Sequence, residues 1–129
     1  YGKVSSVEEA AAARGVSVAA VVKSLLVRRG EDDYLLVLIP GDRSISWPKL
    51  RSLLGVSRLS MPDAETAFKV TGYRRGTITP LGLDLPVVAD ERLVGQEITL
   101  GSGEHGAAIG LAADPLIAAF SATVADVAD

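Results

Sequence analysis

The 129-residue chain contains no cysteine and a single histidine, His105. The lack of thiols excludes disulfides, thiolate metal sites and a cysteine nucleophile, and one histidine cannot build a histidine-rich metal site. No apolar stretch reaches the roughly 18 residues that span a bilayer, and no secretory signal opens the sequence. We therefore expect a cytoplasmic protein that uses no metal and no cofactor and contacts no membrane.

Aromatic residues are also scarce, at 5%, whereas hydrophobic residues make up 48% of the chain. The core is therefore expected to consist of leucine, valine, isoleucine and alanine. A chain of this length buries roughly two thirds of its unfolded surface. We therefore predict one domain over residues 1–129 that needs no disulfide or metal to stabilise it.

Charge is distributed unevenly along the chain despite a net charge of only −3. Residues 43–75 contain seven basic and two acidic side chains, whereas residues 84–129 contain one basic and eight acidic side chains. A basic face attracts polyanions such as nucleic acid. Charges that only solvate helix surfaces explain the same pattern equally well.

Helix caps, apolar runs and turn residues predict interleaved helices and strands. Helices are predicted at 5–15, 17–22, 46–55, 62–70 and 114–122. Strands are predicted at 23–29, 34–39, 56–60, 86–90, 97–100 and 107–112, with a long loop at 73–85. Several strands are joined by short links, which favours a mixed α/β sheet over a strict βαβ winding.

Lys23 is the most informative single residue, because it lies inside the apolar run 18–27. An ammonium group in apolar surroundings is costly unless something pairs with it. One interpretation is a snorkelling lysine whose stem packs while its amine reaches water. The other is a point charge that holds a carbonyl, hydroxyl or phosphate oxygen. Ser24 would point to the opposite face of a strand, or would serve at the strand edge if the backbone bends there.

Two glycine-rich loops accompany this lysine, at 71–82 and at 101–106. Glycines let backbone amides approach a ligand closely, and a Gly-Ser-Gly turn can form an amide nest for an anion. Ordinary turns account for both loops as well. Neither loop is a Walker loop or a dinucleotide fingerprint, and no Ser-His-Asp set can be assembled around His105.

Seven short motifs occur in order along the chain. They are Ser-x-Glu-Glu-Ala-Ala near the start, Val-Val-Lys23-Ser-Leu, Leu-Val-Leu-Ile-Pro-Gly41-Asp42, Thr71-Gly72-Tyr73, Gly76-x-x-x-Pro80-x-Gly82, Pro86-Val-Val-Ala-Asp90 and Gly101-Ser102-Gly103. The ordered set resembles the YbaK / prolyl-tRNA-synthetase-associated editing domain family. The resemblance implies a mixed, partly barrel-like sheet surrounded by helices. It also implies hydrolysis of the ester that links a wrong amino acid to tRNA, most often tRNA(Pro).

The resemblance also assigns roles to individual residues of this sequence. Lys23 matches the family's essential lysine, and Gly76 and Pro80 match its Gly-x-x-x-Pro loop, which makes these three the catalytic candidates. The substrate-binding candidates are Ser24, Gly72, Thr79, Gly82, Ser102 and Gly103, of which Ser102 matches a site position of the cysteine-editing branch. The candidates for tRNA contact are Lys69, Arg74 and Arg75. The implied partners are mischarged tRNA and an aminoacyl-tRNA synthetase that presents it.

The sequence favours direct attack by water on the ester, because no cysteine exists and no serine has an evident base. Lys23 and the amides of residues 76–82 would stabilise the developing oxyanion. The expected substrate is Ala-tRNA(Pro) or Cys-tRNA(Pro). Leu81 stands where many family members carry phenylalanine or valine, so the amino acid stays open. Two other functions also stay open: a non-catalytic module that binds tRNA or a synthetase, and a hydrolase of small aminoacyl esters.

Overall fold

A computed structural model describes residues 11–12, 15–73, 78–101 and 108–129 of the chain. These residues form six strands, three α-helices and two 3-10 turns, at Val18–Ala20 and Glu91–Leu93. The strands are β1 Val22–Gly30, β2 Asp33–Pro40, β3 Val87–Asp90, β4 Glu97–Gly101, β5 Ala108–Ala112 and β6 Thr123–Ala125. The α-helices are α1 Trp47–Leu54, α2 Ala64–Thr71 and α3 Ala113–Ala119.

The strands form one mixed sheet and one short hairpin. The four-stranded sheet has the order β1-β2-β3-β6, in which β1 and β2 are antiparallel while β3 runs parallel to both β2 and β6. Strands β4 and β5 form an antiparallel pair, and a parallel bridge between Val21 and Thr99 connects the pair to the start of β1. The predicted mixed α/β architecture is confirmed, and within the described part of the chain the sheet does not close into a barrel.

Alternation along the strands separates the core into two clusters, one on each face of the sheet. The first cluster, which we call the α2-side core, contains Val22, Leu26, Leu36, Leu38, Ala67 of α2 and Leu116 of α3. The second cluster, the α1-side core, contains Val27, Leu35, Val37, Ile39, Leu50 of α1 and Val127. Strand β2 is buried from Leu35 to Pro40, because helices and loops cover both of its faces.

Side chains cap the N-termini of two helices. Ser46 caps α1 by accepting a hydrogen bond from the Lys49 amide at 3.5 Å, and Asp63 caps α2 by accepting one from the Thr66 amide at 2.7 Å. The helices end at Gly55 (φ +69°) and Gly72 (φ +76°). Glycine occupies this left-handed conformation without the steric cost that a Cβ would bring.

Three local predictions differ from the structure. The predicted helix at 17–22 is only the turn Val18–Ala20, and the Ser17 side chain makes no capping hydrogen bond; the β-branched valines that follow favour the extended conformation. The predicted strand at 56–60 forms only one bridge, between Ser60 and Arg28. Strand β6 was not predicted from the sequence.

The first predicted helix, 5–15, lies mostly outside the described residues. Its described part agrees, since Ala11 and Ala12 are helical and Gly15 has a φ of +67°. No helix within the described ranges has the length and apolarity required to cross a membrane.

Candidate active site

Lys23 lies at the start of β1, where it pairs with Ile39 of β2. Its side chain therefore leaves the sheet on the face of the α1-side core, and its Nζ donates a hydrogen bond to the main-chain oxygen of Arg43. Burial lowers the pKa of the amine from its ordinary value of 10.5, and the nearby Asp42 carboxylate partly opposes this effect. Among the described residues Lys23 has no salt bridge.

This arrangement leaves the charge of Lys23 available to a ligand. An ammonium group has three hydrogen-bond donors, and only the bond to the Arg43 oxygen is seen within the described residues. Partial burial also strengthens any interaction that the charge makes, because the local dielectric is lower than that of water. The group is therefore able to bind an ester, hydroxyl or phosphate oxygen.

Ser24 lies on the opposite face of β1, as its position next to Lys23 predicts. It pairs with Leu38, which belongs to the α2-side core. Its Oγ is inaccessible to solvent and has no hydrogen-bond partner in the described part of the structure. A buried polar atom without a partner costs about 1–3 kcal/mol, so this hydroxyl destabilises the fold unless a further group satisfies it.

Two side chains, those of Tyr73 and Thr79, hold the loop after α2 by hydrogen bonds to the main chain of Leu81. The Tyr73 hydroxyl donates to the main-chain oxygen of Leu81 at 2.7 Å, and the fully buried Thr79 accepts a hydrogen bond from the Leu81 amide at 3.3 Å. Pro80 is buried as well, and Gly82 has a φ of +77°. The hydrogen bond between Tyr73 and Leu81, which are eight positions apart, thus fixes the path of the described part of the loop.

The described contacts bring the loop to Ser24's face of the sheet. Ile78 and Leu81 pack against the α2-side core, whereas Lys23 leaves β1 on the other face and contacts the segment after β2. Convergence of the Lys23 amine with the glycine loop therefore stays a prediction. The described ranges do not include Arg74, Arg75, Gly76, Ser102 or Gly103. The roles predicted for these residues therefore stay predictions.

Two of the remaining predicted residues lie on or after α2. Gly72 ends the helix, and Lys69 is exposed and forms an ion pair with Glu65 at 3.4 Å. Within the basic stretch 43–75, Lys49 is bound to Asp126, whereas Arg51 and Arg58 have no acidic partner among the described residues. The described residues contain no group of histidine, cysteine or acidic side chains that could hold a metal ion.

Sequence reasoning missed two contributors to this region. The Arg43 carbonyl that receives Lys23 carries no sequence signal, since every residue has such a group. The Tyr73 hydroxyl was visible only as part of a motif, and its contact with Leu81 requires the loop to fold back.

The mixed sheet with helices on both faces places the protein in the α/β class. Residues 2–118 match the family described as the aminoacyl-tRNA editing domain. The chain belongs to this family.

Curated relatives include two bacterial proline–tRNA ligases. The chain is 37% identical to the ligase of Thermosipho melanesiensis over 89 residues, which is 68% of this chain and 16% of the ligase. It is 39% identical to the ligase of Desulfovibrio desulfuricans over 90 residues, or 70% of this chain and 16% of the ligase. The match thus covers about one sixth of the length of these curated relatives.

Two crystal structures superpose on nearly the whole of this chain. A structure of a hypothetical protein superposes with a TM-score of 0.89 at 31% identity and covers 95% of this chain and 83% of the other. A candidate trans-editing enzyme for prolyl-tRNA synthetase superposes with a TM-score of 0.87 at 31% identity and covers 95% of this chain and 79% of the other.

Proposed function

We propose that this chain is a trans-editing hydrolase that removes a wrong amino acid from tRNA. The observation that carries the proposal is that a member of the editing family retains, at the start of β1, a half-buried lysine with no carboxylate salt bridge among the described residues. Support comes from the relatives, which are proline–tRNA ligases, and from the structural neighbour described as a candidate trans-editing enzyme.

The reaction is hydrolysis of the ester between the amino acid and the terminal ribose. The oxygen of a water molecule attacks the ester carbonyl, the bond to the ribose oxygen breaks, and that oxygen takes up a proton. Lys23 donates to the oxyanion or the terminal ribose. The proposal requires that loop 76–82, whose residues Ile78 and Leu81 pack on the other face of the sheet, reaches the same ester and supplies further main-chain donors, with Gly76 and Pro80 shaping the loop. Donors fixed in advance stabilise developing charge without reorganisation in the transition state.

A group of the substrate itself orients the attacking water. No cysteine is present, and the Asp42 carboxylate near Lys23 interacts with the ammonium charge, so we assign this role to a neighbouring ribose hydroxyl or to the amino acid's own side chain. Ser24, with its unpartnered hydroxyl, together with Gly72, Thr79, Gly82, Ser102 and Gly103, forms the proposed substrate-binding set.

The proposed substrate is tRNA(Pro) charged with a residue smaller than proline, with alanine and cysteine first. A small pocket excludes larger side chains well and rejects smaller ones poorly, so selectivity comes from pocket size. Editing of this kind belongs in the cytoplasm, where tRNA is charged. The single domain over residues 1–129 would act on tRNA released or presented by prolyl-tRNA synthetase.

Contact with the tRNA backbone is proposed for Lys69, Arg74 and Arg75. Phosphate contacts release counterions, so the apparent affinity for tRNA should fall as salt rises, with a slope that decreases when one of these side chains is replaced. A flat salt response would remove these residues from the proposal.

The test is a deacylation panel with the purified chain. Ala-, Cys-, Ser- and Pro-charged tRNA(Pro) are incubated with the protein, and the remaining ester is measured over time. We expect turnover of one or more of the first three and none of Pro-tRNA(Pro). Binding to charged tRNA without turnover would support the non-catalytic module instead. Equal turnover of a free aminoacyl adenosine would support a small-ester hydrolase.

A further inference from the structure

Residues 126–129 form a segment that packs against the start of α1. Ala128 makes an antiparallel bridge with Ile45, the Ser46 amide donates to the Val127 oxygen at 2.8 Å, and the Asp129 amide donates to the Ser44 oxygen at 3.0 Å. This segment lies beyond residues 2–118, which match the family. The family pattern therefore does not describe it.

Charged groups fix this segment at its other end. The Asp126 carboxylate accepts from Lys49 at 2.9 Å and from Arg92 at 3.0 Å. The Val127 amide donates at 3.1 Å to Asp90, whose side chain is fully buried. The segment is thus joined to α1 and to the end of β3, which are both packed against the core.

Arg43 connects the segment to Lys23. Its guanidinium Nη1 donates to the Asp129 oxygen at 2.6 Å, and its own main-chain oxygen accepts the hydrogen bond from Lys23 Nζ. A continuous set of contacts therefore runs from the buried end of β3, through residues 126–129 and Arg43, to the ammonium group.

We propose that Arg43, held by residues 126–129, is a positioning residue that fixes the Lys23 ammonium for ester hydrolysis. The proposal rests on the proposed function. A lysine stem has four rotatable bonds and loses much conformational freedom when it is fixed. A donor that is already ordered by the protein costs less to align with the substrate, and small misplacements of catalytic groups are expensive in rate.

The first experiment compares three single variants in steady-state deacylation of the mischarged tRNA that the wild type hydrolyses. Arg43→Met keeps the apolar stem and removes the guanidinium, and Arg43→Lys restores a cation. Arg28→Met is the matched control, because the Arg28 side chain also donates to a main-chain oxygen, that of Gly30.

We expect Arg43→Met to lower kcat by roughly tenfold with KM nearly unchanged, below the roughly 100-fold that a 1 Å misplacement can cost. Arg43→Lys should recover most of the loss, and Arg28→Met should equal the wild type. A raised KM with normal kcat would identify Arg43 as a tRNA contact and would overturn the proposal, as would a wild-type kcat in Arg43→Met.

The second experiment does not depend on activity, so it separates failure of this inference from failure of the proposed function. Lys23 is labelled with an amine-reactive reagent in wild type, Arg43→Met, Asp126→Asn and Arg28→Met, and the extent is read by mass spectrometry. We expect faster labelling of Lys23 in Arg43→Met and, to a smaller extent, in Asp126→Asn, with no change in Arg28→Met. Equal rates in all four proteins would refute the positioning role, whether or not the chain deacylates tRNA.

Discussion

Strand β1 carries a cation near each end, and the protein surrounds the two differently. Arg29, near the end of the strand, donates to both carboxylate oxygens of Asp33 at 2.9 and 3.1 Å. This hydrogen-bonded pairing raises the pKa of Arg29 and lowers the pKa of Asp33. Lys23, at the start, donates to a main-chain oxygen, and burial lowers its pKa.

The difference shows how to separate a structural cation from a candidate functional one in this molecule. The charge of Arg29 is neutralised by Asp33, and this ion pair spans the turn between β1 and β2. The charge of Lys23 forms no carboxylate salt bridge in the described ranges, and the nearby Asp42 only partly offsets its desolvation, so a ligand oxygen would offset more of this cost. The sequence singles out Lys23 by its apolar neighbours, but only the structure shows that Arg29 is paired with a carboxylate and that Lys23 is not.

The largest expected effect is on catalysis. Lys23→Ala should lower the deacylation rate by at least about 100-fold, the usual cost of losing one fixed donor to an oxyanion. Arg29→Ala removes a cation from the same strand and should leave the rate unchanged. Both rates are measured under single-turnover conditions, so that tRNA binding and product release do not mask the chemical step.

Two results would contradict this prediction. Full activity in Lys23→Ala would end the proposed role of the lysine. Equal losses in the two variants would show that the strand, and not the particular cation, supports activity. Thermal unfolding of both variants serves as the control for folding.

The second prediction concerns the residue beside Lys23. Ser24→Ala removes a buried hydroxyl without a partner in the described structure, so it should raise the free energy of unfolding by about 1 kcal/mol. If the hydroxyl binds substrate, as proposed, kcat/KM should fall at the same time. A stabilised variant with unchanged kcat/KM would assign Ser24 to packing alone, and a destabilised one would mean that its hydroxyl has a partner.

Local signals explain why much of the fold could be predicted. Hairpin β1–β2 consists of two apolar runs separated by a polar turn, and α1 has Ser46, Pro48 and Gly55 at its ends, so each element is specified by its own residues. Strand β6, in contrast, exists because Thr123 to Ala125 pair with β3. Its residues are largely exposed and show no apolar alternation, so a sequence pattern could not reveal it.

The candidate site also contains one residue that the sequence reveals and one contact that it does not. Lys23 could be selected from the sequence because a charge within an apolar run is unusual. Its partner could not, because the Arg43 main-chain oxygen reaches it only after β2 and the following turn have folded. The Arg43–Asp129 hydrogen bond joins residues that are 86 positions apart in sequence, and the Lys49–Asp126 bond joins residues 77 apart. No local pattern reports such a pairing.

The third prediction uses the stability cost of Lys23. Because its folded pKa lies below the ordinary 10.5, the unfolded chain binds more protons between these two values, and stability rises with pH in that window. Lys23→Met removes this cost. The Tm of Lys23→Met minus that of wild type should therefore be more positive at neutral pH than at about pH 10.

Arg29→Met is the matched control for this measurement. The pKa of Arg29 is raised, so it stays charged over the whole range, and its replacement should shift the Tm by the same amount at both pH values. A pH-independent difference for Lys23→Met would mean that the folded protein does not penalise the ammonium.

The smallest expected effect concerns the carboxylate that pairs with Arg29. The hydrogen bond from Arg29 lowers the pKa of Asp33 below its ordinary 3.8, so the pair stabilises the fold above that value, and the contribution is lost as pH falls through the folded pKa. Asp33→Asn should therefore lower the Tm slightly at neutral pH, and the difference from the wild type should shrink as pH falls through the folded pKa of Asp33. The side chain is 46% exposed, and solvent screens exposed ion pairs, so the shift should also shrink in high salt. A Tm difference that persists unchanged in acid would mean that the Asp33 side chain stabilises the hairpin by packing rather than by charge, and the contrast between the two ends of β1 would then rest on Lys23 alone.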